Sequence, residues 1–92
     1  MTGIQVQLPP VLRSVAGGRR FLEADGDSIA AVLVDLARKH PGMGLHLFDE
    51  AGAIRRNIVF LHDGVLVRAG EAAAHGVRPG DSIALTNALA GG

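Results

Sequence analysis

The chain has 92 residues, nine basic and nine acidic, 48% of them apolar and none of them cysteine. That length holds one domain with one modest core, and the composition is globular rather than disordered. Zero net charge argues against a nucleic-acid binder, which needs a basic surplus, and the missing cysteine excludes a disulfide framework, a thiolate metal site and a cysteine nucleophile.

No apolar run approaches the ~18 residues of a membrane span. The amino-terminal "MTGIQVQLPP" has neither a charged leader nor a long apolar stretch. The expectation is a cytoplasmic protein that engages no membrane and no nucleic acid.

In chain order, "GIQVQL" alternates Ile4, Val6 and Leu8 with Gln5 and Gln7, the period of a half-buried strand. Pro9 and Pro10 stop it, since neither donates to a ladder. "RRFLEA" reads as a second strand, so residues 4–24 predict a hairpin with an extended, irregular connection through Gly17 and Gly18. "DGDSIAAVLVDLARKHPG" predicts the main helix. Asp27 or Ser28 can cap it, Ile29, Val32, Leu33 and Leu36 share one face, and Arg38 and Lys39 suit the negative end of its dipole. Pro41 and Gly42 end it.

A short strand or irregular segment is expected around Leu45–Phe48, followed by a polar loop. "NIVFLHDGVLVR" reads as two strands turning at Asp63-Gly64. The first, Ile58–Leu61, is apolar on both faces and belongs in the sheet interior. "EAAAHG" predicts a helical turn, Pro79-Gly80 a type II turn, and "SIALTNA" the last strand, with Ile83 and Leu85 inward. The sum is an α+β sandwich in two layers, a mixed sheet of four to five strands with one main helix on one face. The other face has no helix to cover it. Val59 and Leu61 point there, opposite to Ile58 and Phe60, and form a candidate docking surface.

"LPPVLRSVAGG", "GDSIAAVLVDL", "NIVFLHDG" and "PGDSIAL", with the terminal "AGG", resemble the ubiquitin-like sulfur carriers of the ThiS/MoaD family. Within that family the chain looks most like the CysO-type carriers of cysteine biosynthesis. The resemblance spans nearly the whole chain. It implies a β-grasp fold over residues 1–92, a flexible tail at about 87–92, and a protein cosubstrate rather than an enzyme.

The same resemblance assigns the site. Gly92 is the carrier residue, whose carboxylate becomes first an acyl-adenylate and then a thiocarboxylate. Gly91, Ala90 and Leu89 thread the partner's active site, where glycine passes narrow channels because it has no Cβ. No GxxxxGK[ST] loop is present, so ATP is expected at the partner and no cofactor on this chain. The implied partners are a ubiquitin-activating-type adenylyltransferase or sulfurtransferase, a sulfur-accepting synthase of the pyridoxal-phosphate cysteine synthase kind, and a metalloprotease that releases cysteine. A molybdopterin synthase small subunit, a thiamin or natural-product carrier, a protein modifier and an inert interaction module stay open as alternatives.

The remaining polar residues read more simply. His40, His46, His62 and His75 have no ligand spacing and are expected on the surface or in loops, with no metal. Asp25 and Asp27 fit a helix start. Arg13, Arg19 and Arg20 read first as a solvated basic edge, with an acidic partner as the alternative.

Overall fold

The computed structural model describes residues 3–87. Its first strand, β1 (Ile4–Gln7), buries Ile4 and Val6 and exposes Gln5 and Gln7. The prolines end it as expected, but the connection that follows is not simply extended. Pro10 opens a short helix, α1 (Pro10–Arg13), which buries Leu12. Proline's fixed φ suits the first helical position, where its missing N–H costs nothing. The second strand, β2 (Phe21–Ala24), then returns antiparallel to β1, with Gln7 opposite Phe21.

The main helix, α2 (Ile29–Lys39), is capped by Ser28, whose Oγ accepts the Ala31 N–H at 3.1 Å. Ile29, Val32, Leu33 and Leu36 are buried on one face. On the other side Asp35 accepts the backbone N–H of Asp25 at 2.9 Å and pairs with Arg38 and Lys39. These contacts, the Asp25 N–H foremost, hold the Asp35 carboxyl well below the usual carboxylate range. The bond to Asp35 in turn raises Lys39.

Pro41 ends α2 and at once begins another helix, α3 (Pro41–Leu47). This corrects the strand or irregular segment expected around Leu45–Phe48. Only Phe48 is extended, bridging to Ile54. Gly42 and Gly44 each disfavour a helix by about 1 kcal/mol. Met43 and Leu47, one turn apart, are both fully buried, and each such side chain contributes roughly 1.5–3 kcal/mol. Burial therefore outweighs propensity.

The next two strands, β3 (Ile58–His62) and β4 (Val65–Arg68), pair antiparallel. Asp63 and Gly64 between them have φ of 52° and 78°, the two positive values of a type I′ turn. A 3-10 turn, Ala69–Glu71, follows. In the turn after it, Gly80 has φ of 94° and the Asp81 N–H reaches the Arg78 carbonyl at 3.0 Å, as a type II turn requires. The last strand, β5 (Ser82–Asn87), inserts between β1 and β3, parallel to the first and antiparallel to the second. The sheet order is β2-β1-β5-β3-β4. α2 covers one face, and Ile4, Val6, Leu33, Phe60 and Ile83 meet in the core between the layers. This is the β-grasp arrangement.

One histidine departs from the expected surface role. His62 is 8% exposed. Its Nδ1 lies 2.9 Å from His75 Nε2, and its Nε2 lies 2.9 Å from Asp81 Oδ2. The same Asp81 oxygen accepts the Arg78 N–H at 2.9 Å. The chain of bonds ties the end of β3 to the turn that feeds β5. Two imidazole nitrogens this close share one N–H, one ring donating and the other accepting. The Arg78 N–H and then His62 hold the Asp81 carboxyl below its usual value.

Two predictions follow from these contacts. His62→Leu strips Asp81 and His75 of a shared partner and lowers stability by about 1–3 kcal/mol in urea unfolding, whereas His46→Ala at an exposed position changes it by less than about 0.5 kcal/mol. Asp35 and Asp81 both titrate lower in the folded chain than their ordinary 3.8. Their stabilisation is therefore complete above that value and is lost as pH falls through the lowered folded values. Thermal melts should show a falling Tm below about pH 4, with a shallower fall in the D35N/D81N double variant.

Candidate functional site

The strand directions gather one set of loops at a single end of the sheet. β1 and β5 run parallel, so both finish there; β2 and β3 run antiparallel to them, so both start there. At this end lie α1, the Arg19-Arg20 approach to β2, the Arg55–Asn57 approach to β3, and the exit of the chain from β5 at Asn87. Asn87 is still in register, opposite Ile58. Of the expected site, Leu89, Ala90, Gly91 and Gly92 lie outside the described residues.

Beside the exit is a groove of about 320 Å³, lined by Val11, Leu45, His46, Arg55, Ile58 and Thr86 among others. The lining is mixed, and two apolar side chains on it stand open to solvent: Val11 is 61% and Leu45 76% exposed. Arg55 fastens one wall, its Nε donating to the Leu45 carbonyl at 3.1 Å and its backbone N–H to the Leu47 carbonyl at 2.9 Å. On the β1 side, Arg13 Nε donates to the Leu8 carbonyl at 3.3 Å.

The uncovered face of the sheet carries a row that follows from register. Phe21 lies opposite Gln7, Gln7 opposite Ala84, Ala84 opposite Leu61, and Leu61 opposite Leu66. Phe21, Leu61 and Leu66 are about half exposed. Val59, placed with Leu61 by the sequence, is 9% exposed. It sits between Thr86 and Arg68 in register and offers little surface to a partner. That corrects half of the expected patch. Phe21 and Leu66 were legible in principle, because each alternates with a buried neighbour, Leu22 and Val67.

Neither Ser28 nor Ser82, each of which follows an aspartate at the start of an element, sits beside a general base. Ser28 is engaged as a helix cap, and Ser82 Oγ donates to Gln5 Oε1 at 3.4 Å. His62, His75 and Asp81 form a linear hydrogen-bonded chain rather than a convergent set. Among the described residues no helix is long and apolar enough to cross a membrane. The organised surfaces are the exit end and the uncovered face, and both suit recognition by another protein.

A sequence model of the ThiS family matches residues 6–92. The sulfur carrier protein CysO of Mycobacterium bovis is 31% identical over 97% of this chain and 98% of its own length. A chain in the crystal structure of the Amycolatopsis orientalis BexX/CysO complex superposes with a TM-score of 0.80 at 28% identity, covering 97% of this chain and 99% of that one. The Haloferax volcanii small archaeal modifier protein 1 gives a TM-score of 0.77 at 25% identity, over 97% of this chain and all of its own. The topology, the full-length match and the family model agree: the chain belongs to the ThiS family and has the β-grasp body of its CysO relatives.

Proposed function

We propose that this protein is a sulfur carrier that holds sulfur on the carboxyl group of Gly92 and gives it up to a biosynthetic enzyme. The observation that carries the reading is the family match, which runs through β5 to Gly92 itself. A carboxylate at neutral pH is ionised and a poor electrophile. Its oxygen first attacks the α-phosphorus of ATP in a partner adenylyltransferase, and pyrophosphate leaves. A sulfide-level donor then attacks the acyl carbon, AMP leaves, and the product is a thiocarboxylate. With no cysteine in the chain, a side-chain thiol cannot do this work.

The CysO relatives favour an acceptor in cysteine formation, on a pyridoxal-phosphate cysteine synthase, with a metalloprotease to release the product. The chain's own part is to present its last residues. Five residues beyond Asn87 reach at most about 17 Å when extended, and Gly91 and Gly92 leave the carbonyl unhindered. A second reading, covalent attachment to a target lysine, is favoured by the likeness to small archaeal modifier protein 1. Self-conjugation fits poorly, because Lys39 is the one lysine and pairs with Asp35 at 3.1 Å.

Intact mass spectrometry after incubation with adenylyltransferase, ATP and a sulfur donor should show one oxygen of the terminal carboxyl replaced by sulfur. Deletion of Gly92 should abolish this while leaving the thermal melt unchanged. Loading of the truncated chain would overturn the assignment of Gly92, and an isopeptide on a target lysine in place of the sulfur product would favour the modifier.

A further inference from the structure

We propose that the arginines around the exit of β5 form a basic docking collar for an acidic protein surface on the enzyme that charges the carrier end. This rests on the carrier reading above. Arg13, Arg19, Arg20, Arg55 and Arg56 come from separate segments, and strand direction alone brings them to one end of the sheet. In the strand order, Arg13, Arg19 and Arg20 belong to the β1–β2 side of β5, and Arg55 and Arg56 to the β3 side. The exit at Asn87 lies between them.

None of the five forms an ion pair among the described residues; nor does Arg68 at the end of β4 or Arg78 in the turn before β5, while Arg38 and Lys39, on α2, are both paired. Four of the five are exposed, and Arg13 is half-buried. The nearby acids offset only part of this charge. Asp49, whose Oδ1 accepts the N–H groups of Ala51 and Ala53, and Glu50 set two negative charges on that loop against the five positive ones. Asp25, Asp27, Asp63 and Asp81 fall at the opposite end, after β2, after β3 and before β5. Since the whole chain is neutral, this is segregation of charge rather than a surplus.

The groove decides the kind of partner. Val11 and Leu45 stand exposed beside the arginines, and apolar side chains set next to charged ones are what a protein partner can cover. A free nucleotide or phosphate would use the guanidinium groups and leave both apolar side chains in water. The partner is therefore a protein surface with clustered carboxylates beside an apolar side chain that enters the groove. A body bound there keeps its active site within the ~17 Å reach of the last five residues. Opposite charge also guides the encounter, with a salt-dependent on-rate.

The test uses the full chain and the purified adenylyltransferase that loads it, with initial rates of thiocarboxylate formation read by intact mass. R19E/R20E and Arg56→Glu, each checked for an unchanged melt, should raise the KM for the carrier severalfold to about tenfold, with kcat within about twofold. Added salt should raise the KM of the natural chain steeply and that of the reversed variants little. Val11→Ser should raise the KM at every salt concentration, and Asp27→Asn, at the far end, should leave it unchanged. Reversed variants with the natural KM and salt dependence would overturn the collar and leave the carrier reading standing. A raised KM for ATP instead would assign the arginines to nucleotide and overturn it as well. If the natural chain is folded and never loaded, the carrier reading fails and the collar with it.

Discussion

The position of β5 governs the rest of the molecule. It is the last strand in sequence and the middle strand in space, parallel to β1 on one side and antiparallel to β3 on the other. A parallel neighbour cannot be reached by a tight turn. The intervening chain must therefore cross the sheet: α2 carries it from β2 toward β3 while it covers the core face, and residues 69–81 bring it from β4 back past β3 into β5. Two consequences follow from that one insertion. The first half of β5, residues 82–84, pairs with β1, and its last residues, 85–87, stay in register with β3 alone, so the exit point is set by β3 and by the buried Ile83 and Leu85. The loops around the exit are those before β2, before β3 and after β1, which is where Arg13, Arg19, Arg20, Arg55 and Arg56 lie.

Under the proposed function the chemistry at the end is small and is carried out by partner enzymes. The body contributes recognition, and its surface is divided accordingly. One end is basic and carries the groove, the other is acidic and closed by the Asp81–His62–His75 chain, and the uncovered face carries the Phe21, Leu61 and Leu66 row. A partner can tell these surfaces apart by charge before any close contact forms. Burying His62 on two bonds costs little, because both ring nitrogens are satisfied. Those bonds also fix the turn from which β5 starts.

The parts legible in the sequence were those specified locally. The Ser28 cap and the apolar face of α2 depend on residues within one another's reach along the helix. The Asp63-Gly64 and Pro79-Gly80 turns demand backbone angles that few residue pairs adopt. The parts that escaped depended on distant chain. α3 forms through two glycines because Met43 and Leu47 find a core site that only the folded sheet provides. His62 and His75 are 13 positions apart and Asp81 a further six, with no helical or strand period between them. The arginine pairs were visible as pairs, but their convergence on one end required the directions of all the strands. Val59 and Leu61 looked equivalent by alternation, and the neighbours that cover Val59 lie on β4 and β5.

Native-state hydrogen exchange tests the central claim most directly. If β5 is the strand that holds the exit in place, the amides of Ile83, Ala84 and Leu85 exchange only when the whole domain unfolds, and much more slowly than those of edge strand β4. Exchange of the β5 amides at the rate of β4, while β1 and β2 remain protected, would mean that the last strand peels away by itself, and the carrier end would then have no fixed point of departure.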